Sequence, residues 1–112
     1  MGKMASKQEL LPGTLDMLIL KSLTRDVMHG YGIAEHIRLL SDEVLKVEEG
    51  SLYPALQRLL ANGWVTAEWG TTRGNRRARY YQLTRAGRKQ LDVEETQFLR
   101  VTDAIVRVLQ AG

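Results

Sequence analysis

The sequence predicts a mainly α-helical fold with a small β-hairpin, and three observations carry that reading. Apolar residues recur every three or four positions in four separate segments, as they do in helices that bury one stripe. Between the third and fourth of these segments, two stretches of strand-like alternation flank a loop with two glycines and an asparagine. The chain has 112 residues and 44% hydrophobic content, which is about one domain's length and enough for one modest core.

Residues 1–11 read as a polar, lysine-bearing, frayed start punctuated by Pro12-Gly13. A first helix follows, with Thr14 as its cap, Asp16 at the positive end of its dipole, and Leu15, Leu18, Ile19 and Leu23 on one stripe. Met17 and Leu20 lie off that stripe, so this helix is apolar on two sides. Its second side meets either another subunit or the remainder of a single core. After Met28-His29-Gly30, residues Tyr31 to Leu40 read as a second helix with Ile33, Ile37 and Leu40 facing inward. Within the connection that follows, Leu45-Lys46-Val47 has the pattern of a short extended piece. A third helix is expected from about Gly50 to Asn62, with Leu52, Leu56, Leu59 and Leu60 inward and Asn62-Gly63 as its stop. Pro54 has no N–H to donate and is expected in or near the first turn, where free amides suit a phosphate.

From Trp64 to Trp69, Val65, Ala67 and Trp69 alternate with Thr66 and Glu68; Gly70 to Arg77 forms a loop, and Ala78 to Leu83 returns. A lone hairpin is marginal in water, so it must lean on the helices. Helix, helix, helix, hairpin is the order of a winged helix-turn-helix, expected over residues 10–83. Thr84 then caps a last helix running to about Leu109, and residues 84–112 form a second functional part. Its roughly 25 residues span about 38 Å, longer than so small a body, so part of it projects. Leu91, Phe98, Val101, Ile105 and Val108 form an apolar seam along it, interrupted by Glu94. Burying that seam at about 25 cal/mol per Å² supplies several kcal/mol, which favours a homodimer in which Leu15, Met17 and Leu20 join the same interface. The alternative is a helix folded back on its own domain.

The formal net charge of +3 is modest, but its distribution is not. From Trp69 to Leu91 there is no acid, while Arg73, Arg76, Arg77, Arg79, Arg85, Arg88 and Lys89 supply seven positive charges. The rest of the chain has nine Lys/Arg against thirteen Asp/Glu, a net of −4. So concentrated a cationic segment points to a polyanion, and double-stranded DNA fits the architecture. The third helix is slim enough for a major groove and presents Ser51, Tyr53, Gln57 and Arg58, with Lys46 just before it. Gln57 suits adenine; Arg58 suits guanine or a phosphate. The hairpin tip, with Arg73, Arg76, Arg77 and Arg79, would bear on the adjacent backbone or minor groove and give affinity with little sequence choice. Tyr53 has a competing reading as a packing residue, and Arg58 as half of an ion pair with a nearby Glu.

Four blocks in this order resemble the PadR family of prokaryotic transcriptional regulators: Pro12-Gly13-Thr14-Leu15-Asp16, His29-Gly30-Tyr31-Gly32-Ile33, Glu49-Gly50-Ser51-Leu52-Tyr53-Pro54-Ala55-Leu56, and Arg79-Tyr80-Tyr81-Gln82-Leu83-Thr84-Arg85-Ala86-Gly87. The resemblance covers about residues 10 to 90, and the chain length suggests the compact subgroup with a single C-terminal helix. It implies a repressor, dimeric through its first and last helices, on a palindromic operator, with Tyr53 and the wing arginines touching DNA. In some members the dimer interface encloses a hydrophobic pore for flat aromatic or phenolic effectors. By position Phe98 looks like a pore residue, although some members have a larger aromatic there, and interface packing explains Phe98 equally well.

Catalysis has little support, since no acidic pair or nucleophile set accompanies His29 and His36. Neither a cofactor nor a metal is expected: Gly30-Tyr31-Gly32 is too short for a nucleotide site, and Glu35 and His36 point about 100° apart on a helix. The apolar run Leu15–Leu20, broken by Asp16, is far short of the roughly 20 residues of a membrane span, and no signal-peptide core is read near residue 1. Met1, Gly2 and Ser6 fit a loose myristoylation pattern that has no polybasic or second lipid signal beside it. With no cysteine, the chain suits a reducing cytoplasm, in association with the nucleoid. Two rival functions are a protein interaction module built on a winged helix, and a small-molecule binder that captures aromatic compounds at a dimer interface.

Overall fold

A computed structural model describes residues 12–111 and orders the chain as α1 (Pro12–Ser22), β1 (Met28–His29), α2 (Gly30–Leu40), α3 (Glu49–Ala61), β2 (Val65–Thr71), β3 (Arg77–Leu83) and α4 (Arg85–Gln110). The expected polar start over residues 1–11 lies outside the described residues. Three helices, a hairpin and a long last helix are the elements of a winged helix, and the order is the one expected.

α1 is the central beam. Leu15, Ile19 and Leu23 are buried as their spacing requires, but so are Met17 and Leu20. The reason is placement: α2 and α3 pack on α1, and so does α4, so its two apolar sides are both covered within one chain. Leu15, Met17, Leu20 and Leu91, expected at a dimer interface, are thus core residues of the single chain. Thr14 is also corrected. The helix begins at Pro12, so Thr14 lies inside it, and no acid occupies the first turn; Asp16 is used elsewhere, as described below.

α2 is capped by His29, whose Nδ1 accepts the Gly32 N–H at 3.0 Å, the backbone role expected of a turn histidine. It ends in a Schellman motif: Asp42 N–H reaches the Leu39 carbonyl and Glu43 N–H the Arg38 carbonyl. Asp42 and Glu43 adopt φ of 56° and 64° to do so, a conformation in which side chains cost more than glycine. Ile33 and Ile37 face the core, but Leu40, at the last helical position, is exposed because the chain turns away there. Leu45 and Val47 rest on the core with Lys46 outward, as their alternation suggests, but no strand pairs with them.

α3 buries Leu52, Ala55, Leu56 and Leu59. It stops where expected: Gly63, at φ 74°, closes a second Schellman motif through Gly63 N–H to Leu60 and Trp64 N–H to Leu59. Pro54 is a correction, since it stands in the second turn, six residues into the helix. It therefore withholds a donor from the Gly50 carbonyl. The first turn is no phosphate cradle either: Glu48 and Glu49 stand there, and the Glu48 carbonyl accepts the amides of Ser51 and Leu52.

β2 and β3 pair from Val65↔Leu83 at the root to Thr71↔Arg77 at the tip. β1 adds a third strand on the other edge of β3, through Met28↔Tyr81 and His29↔Tyr80, so the order is β1-β3-β2. The tip closes as a three-residue loop: Asn75 N–H bonds the Thr72 carbonyl, Thr72 N–H the Arg76 carbonyl, and Asn75 takes the left-handed conformation at φ 64°. α4 starts on Thr84, whose hydroxyl accepts Gly87 N–H and donates to the Gly63 carbonyl, while Thr84 N–H bonds the Trp64 carbonyl. Gly87 is required there, because a Cβ would stand 2.0 Å from the Trp64 oxygen. Lys21 reaches from α1 to Glu95 at 3.1 Å, and beyond Leu91 no α4 residue is buried. The 26-residue helix then runs out of the body, and the described chain with it measures 53 × 34 × 21 Å.

Candidate nucleic-acid interface

The hairpin face that starts in the core ends as something else. At its root Val65 and Tyr81 are buried, and Ala67 and Leu83 rest on the core. Two pairs further out the same face presents Trp69 opposite Arg79, then Thr71 opposite Arg77, past the edge of the helical body. There the apolar requirement lapses and cations replace it. The wing leans over α3, and between them lies a groove of about 780 Å³ lined by Tyr53 and Gln57 of α3 and by Arg76, Arg77 and Arg79 of the wing.

Those five residues, expected from sequence to touch DNA, are thus brought to one groove. Lys46, Ser51 and Arg73 are exposed, on the loop before α3, the first turn of α3 and the wing tip respectively. Arg58 is not with them. Its Nη2 donates to Asp16 Oδ1 at 2.8 Å and its Nε to Oδ2 at 3.2 Å, a two-pronged bond that ties α3 to α1 and raises the guanidinium pKa above its ordinary value. The ion-pair alternative holds for Arg58, with an aspartate forty-two positions away instead of a nearby Glu. Among the described residues none of Arg73, Arg76, Arg77 or Arg79 makes a salt bridge.

Tyr53 packs, as one of its two readings expects, without being buried. Its ring lies against Gly30, where an added Cβ would meet it at 3.2 Å, yet about half of it remains exposed. The groove also includes residues that the sequence reading did not single out for binding: His29 and Tyr31 at the start of α2, Thr72 at the tip, and Trp69 and Tyr81 on the wing's inner face. An unusually exposed aromatic is the signal that marks Tyr31 and Trp69, but exposure is not visible in a string of letters. Burial pushes the Tyr81 hydroxyl above its ordinary pKa, against the pull of Arg79 and with Tyr53 adding to the rise, so it stays a neutral donor and acceptor. The surface therefore combines guanidinium groups for phosphates, a carboxamide and hydroxyls for polar edges, and aromatic faces for sugars or bases.

A family model, the transcriptional regulator PadR-like family, matches residues 19–93. The chain belongs to that family. The structure of a transcriptional regulator from Clostridium thermocellum is similar to this PadR-like protein with 29% identity and a TM-score of 0.76, over 85% of this chain and 92% of that one. A padr family transcriptional regulator from Eggerthella lenta is 30% identical with a TM-score of 0.72, over 89% of this chain and 85% of the other. A PadR family transcription regulator from Clostridium difficile is 25% identical with a TM-score of 0.74, over 87% and 99%. This PadR-like chain is accordingly a transcriptional regulator with a winged-helix DNA-binding fold. Among the described residues no helix is long and apolar enough to cross a membrane, and no three His, Cys, Asp or Glu are placed to hold a metal ion.

Proposed function

We propose that this PadR-like regulator is a homodimeric repressor that seats α3 in the major groove of a palindromic operator and lays its wing on the flanking backbone. The observation that carries this reading is the shared groove, in which the side chains of Tyr53 and Gln57 face the same space as Arg76, Arg77 and Arg79. Lys46, Ser51 and Arg73 extend the same role at its margins. α4 supports the dimer: Phe98, Val101, Ile105 and Val108 are 40%, 47%, 53% and 74% exposed along the part of the helix where no described residue is buried. A two-fold pair presents two α3 helices, which suits two inverted half-sites. The division between a DNA-binding part, residues 10–83, and a dimerisation helix, residues 84–112, is then one of roles, since Gly87 and Leu91 are buried in the body. Work on the nucleoid, in the cytoplasm, follows from that role.

An apolar groove of about 530 Å³ between α1 and α4, lined by Thr14, Met17, Val93, Phe98 and Val101, supports the further reading that a small aromatic effector at the dimer interface releases the operator. The test of DNA binding is a titration of duplex from the gene's own promoter, and of an unrelated duplex, at two salt concentrations. Replacing Arg76 and Arg77 with Ala is expected to weaken both complexes and to lower the salt slope by about 2. Unchanged affinity would take the wing out of the mechanism.

A further inference from the structure

Trp69 closes the inward series Val65, Ala67, Trp69 of β2, but it lies past the edge of the core and is 61% exposed. Leaving so large an apolar ring on a wing tip is unfavourable in water, so the ring's neighbours matter. The Arg77 guanidinium carbon stands 4.7 Å from the indole centroid. Arg79, the cross-strand partner of Trp69, places its own 5.9 Å from the same centroid and 5.9 Å from that of Tyr81. Arg79 Nε is already stripped of water there with no hydrogen-bond partner, so the guanidinium is held by ring faces and not by an acceptor.

The kind of holder is informative. A carboxylate would occupy the N–H edges of an arginine and cancel its charge, as Asp16 does for Arg58. A ring face takes only the flat side of the guanidinium, so its charge and its outer N–H groups stay available for a bidentate partner. Fixing a long side chain in advance also removes part of the rotamer entropy that binding would otherwise cost. The stack lies on the wall of the groove that faces Tyr53 and Gln57.

We propose that Trp69 is a positioning residue for DNA binding: it holds Arg77 and Arg79 by their flat faces and aims their free N–H groups at phosphates of the duplex seated on α3. This rests on the DNA-binding reading above. The experiment is a double-mutant cycle on the full chain, with Kd measured for one duplex over a series of salt concentrations. Trp69→Ala is expected to bind about fivefold more weakly than wild type. The slope of log K against log salt should be retained, because no cation is lost. Trp69→Phe should recover most of the affinity. In a chain already carrying Arg77→Ala and Arg79→Ala, which itself shows a lower salt slope, Trp69→Ala should cost less than twofold. Should the alanine variant unfold, Trp69→Leu, which keeps bulk without a π face, should show the same fivefold loss. Wild-type affinity in Trp69→Ala or Trp69→Leu, or a fivefold loss that persists without the two arginines, overturns the inference. A wild-type protein that ignores every duplex at low salt overturns the DNA-binding reading and this one together, whereas a wild type that binds while Trp69→Ala matches it overturns this one alone.

Discussion

Met17 and Leu20 on α1, and Val101 and Ile105 on α4, are apolar residues set in two helices that differ in their surroundings. α1 is flanked by α2, α3 and α4, and both of its apolar sides are buried at home. α4 shares that shelter only through Gly87 and Leu91; further along, its seam faces outward. The contrast teaches that an apolar stripe reports a need for cover, while topology decides who supplies it. α1, the first element, is enclosed by the three helices that come after it, whereas α4 packs on the body through its first turns and then leaves it.

Substitutions at five places break or sharpen this contrast. The largest effect belongs to Gly87→Ala, which drives a methyl group into the Trp64 carbonyl oxygen and prises α4 from the body. A loss of about 4 kcal/mol or more is expected, visible as a collapse of the denaturant midpoint. Next, Leu20→Ala should cost about 2–5 kcal/mol as a core deletion. Ile105→Asp or Phe98→Asp should leave the folded chain intact yet halve the mass measured by light scattering, because a carboxylate in an apolar seam is costly only where a partner covers it. If the aspartate variants keep twice the chain mass, the seam is not the interface. Fourth, Arg58→Ala is expected to lower stability by no more than about 1 kcal/mol, since the pair with Asp16 is partly exposed and screened, and to leave DNA affinity within twofold. A larger loss on DNA than in stability would return Arg58 to the reading surface. The smallest effect is a gain: Asp42→Gly relieves a left-handed φ of 56° at the end of α2 and should raise stability by about 0.5–1 kcal/mol in thermal unfolding.

Much of the fold was legible because its signals are local. The stripes of α2 and α3, the Gly63 stop, the Thr84 cap and the hairpin around Asn75 each depend on residues within a few positions of one another. β1 was not legible: two residues hold no periodicity, and Met28–His29 becomes a strand only because Tyr80 and Tyr81 lie beside it. The same distance hid the Asp16–Arg58 pair, which takes from the candidate site a residue whose chemistry suited it. It also hid the cover on Met17 and Leu20. In the groove, the charged members were readable as an acid-free run, whereas Tyr31 and Trp69 stand out only once their exposure is known.

The bonds around Thr84 join the first turn of α4 to the end of α3 and the root of the wing, because Gly63, Trp64 and Thr84 share one small knot. The long helix is therefore fastened, like a tiller to its rudder head, at the point where the wing is rooted. A torque applied at its far end would bear on that knot, to which the root of the wing is also bonded.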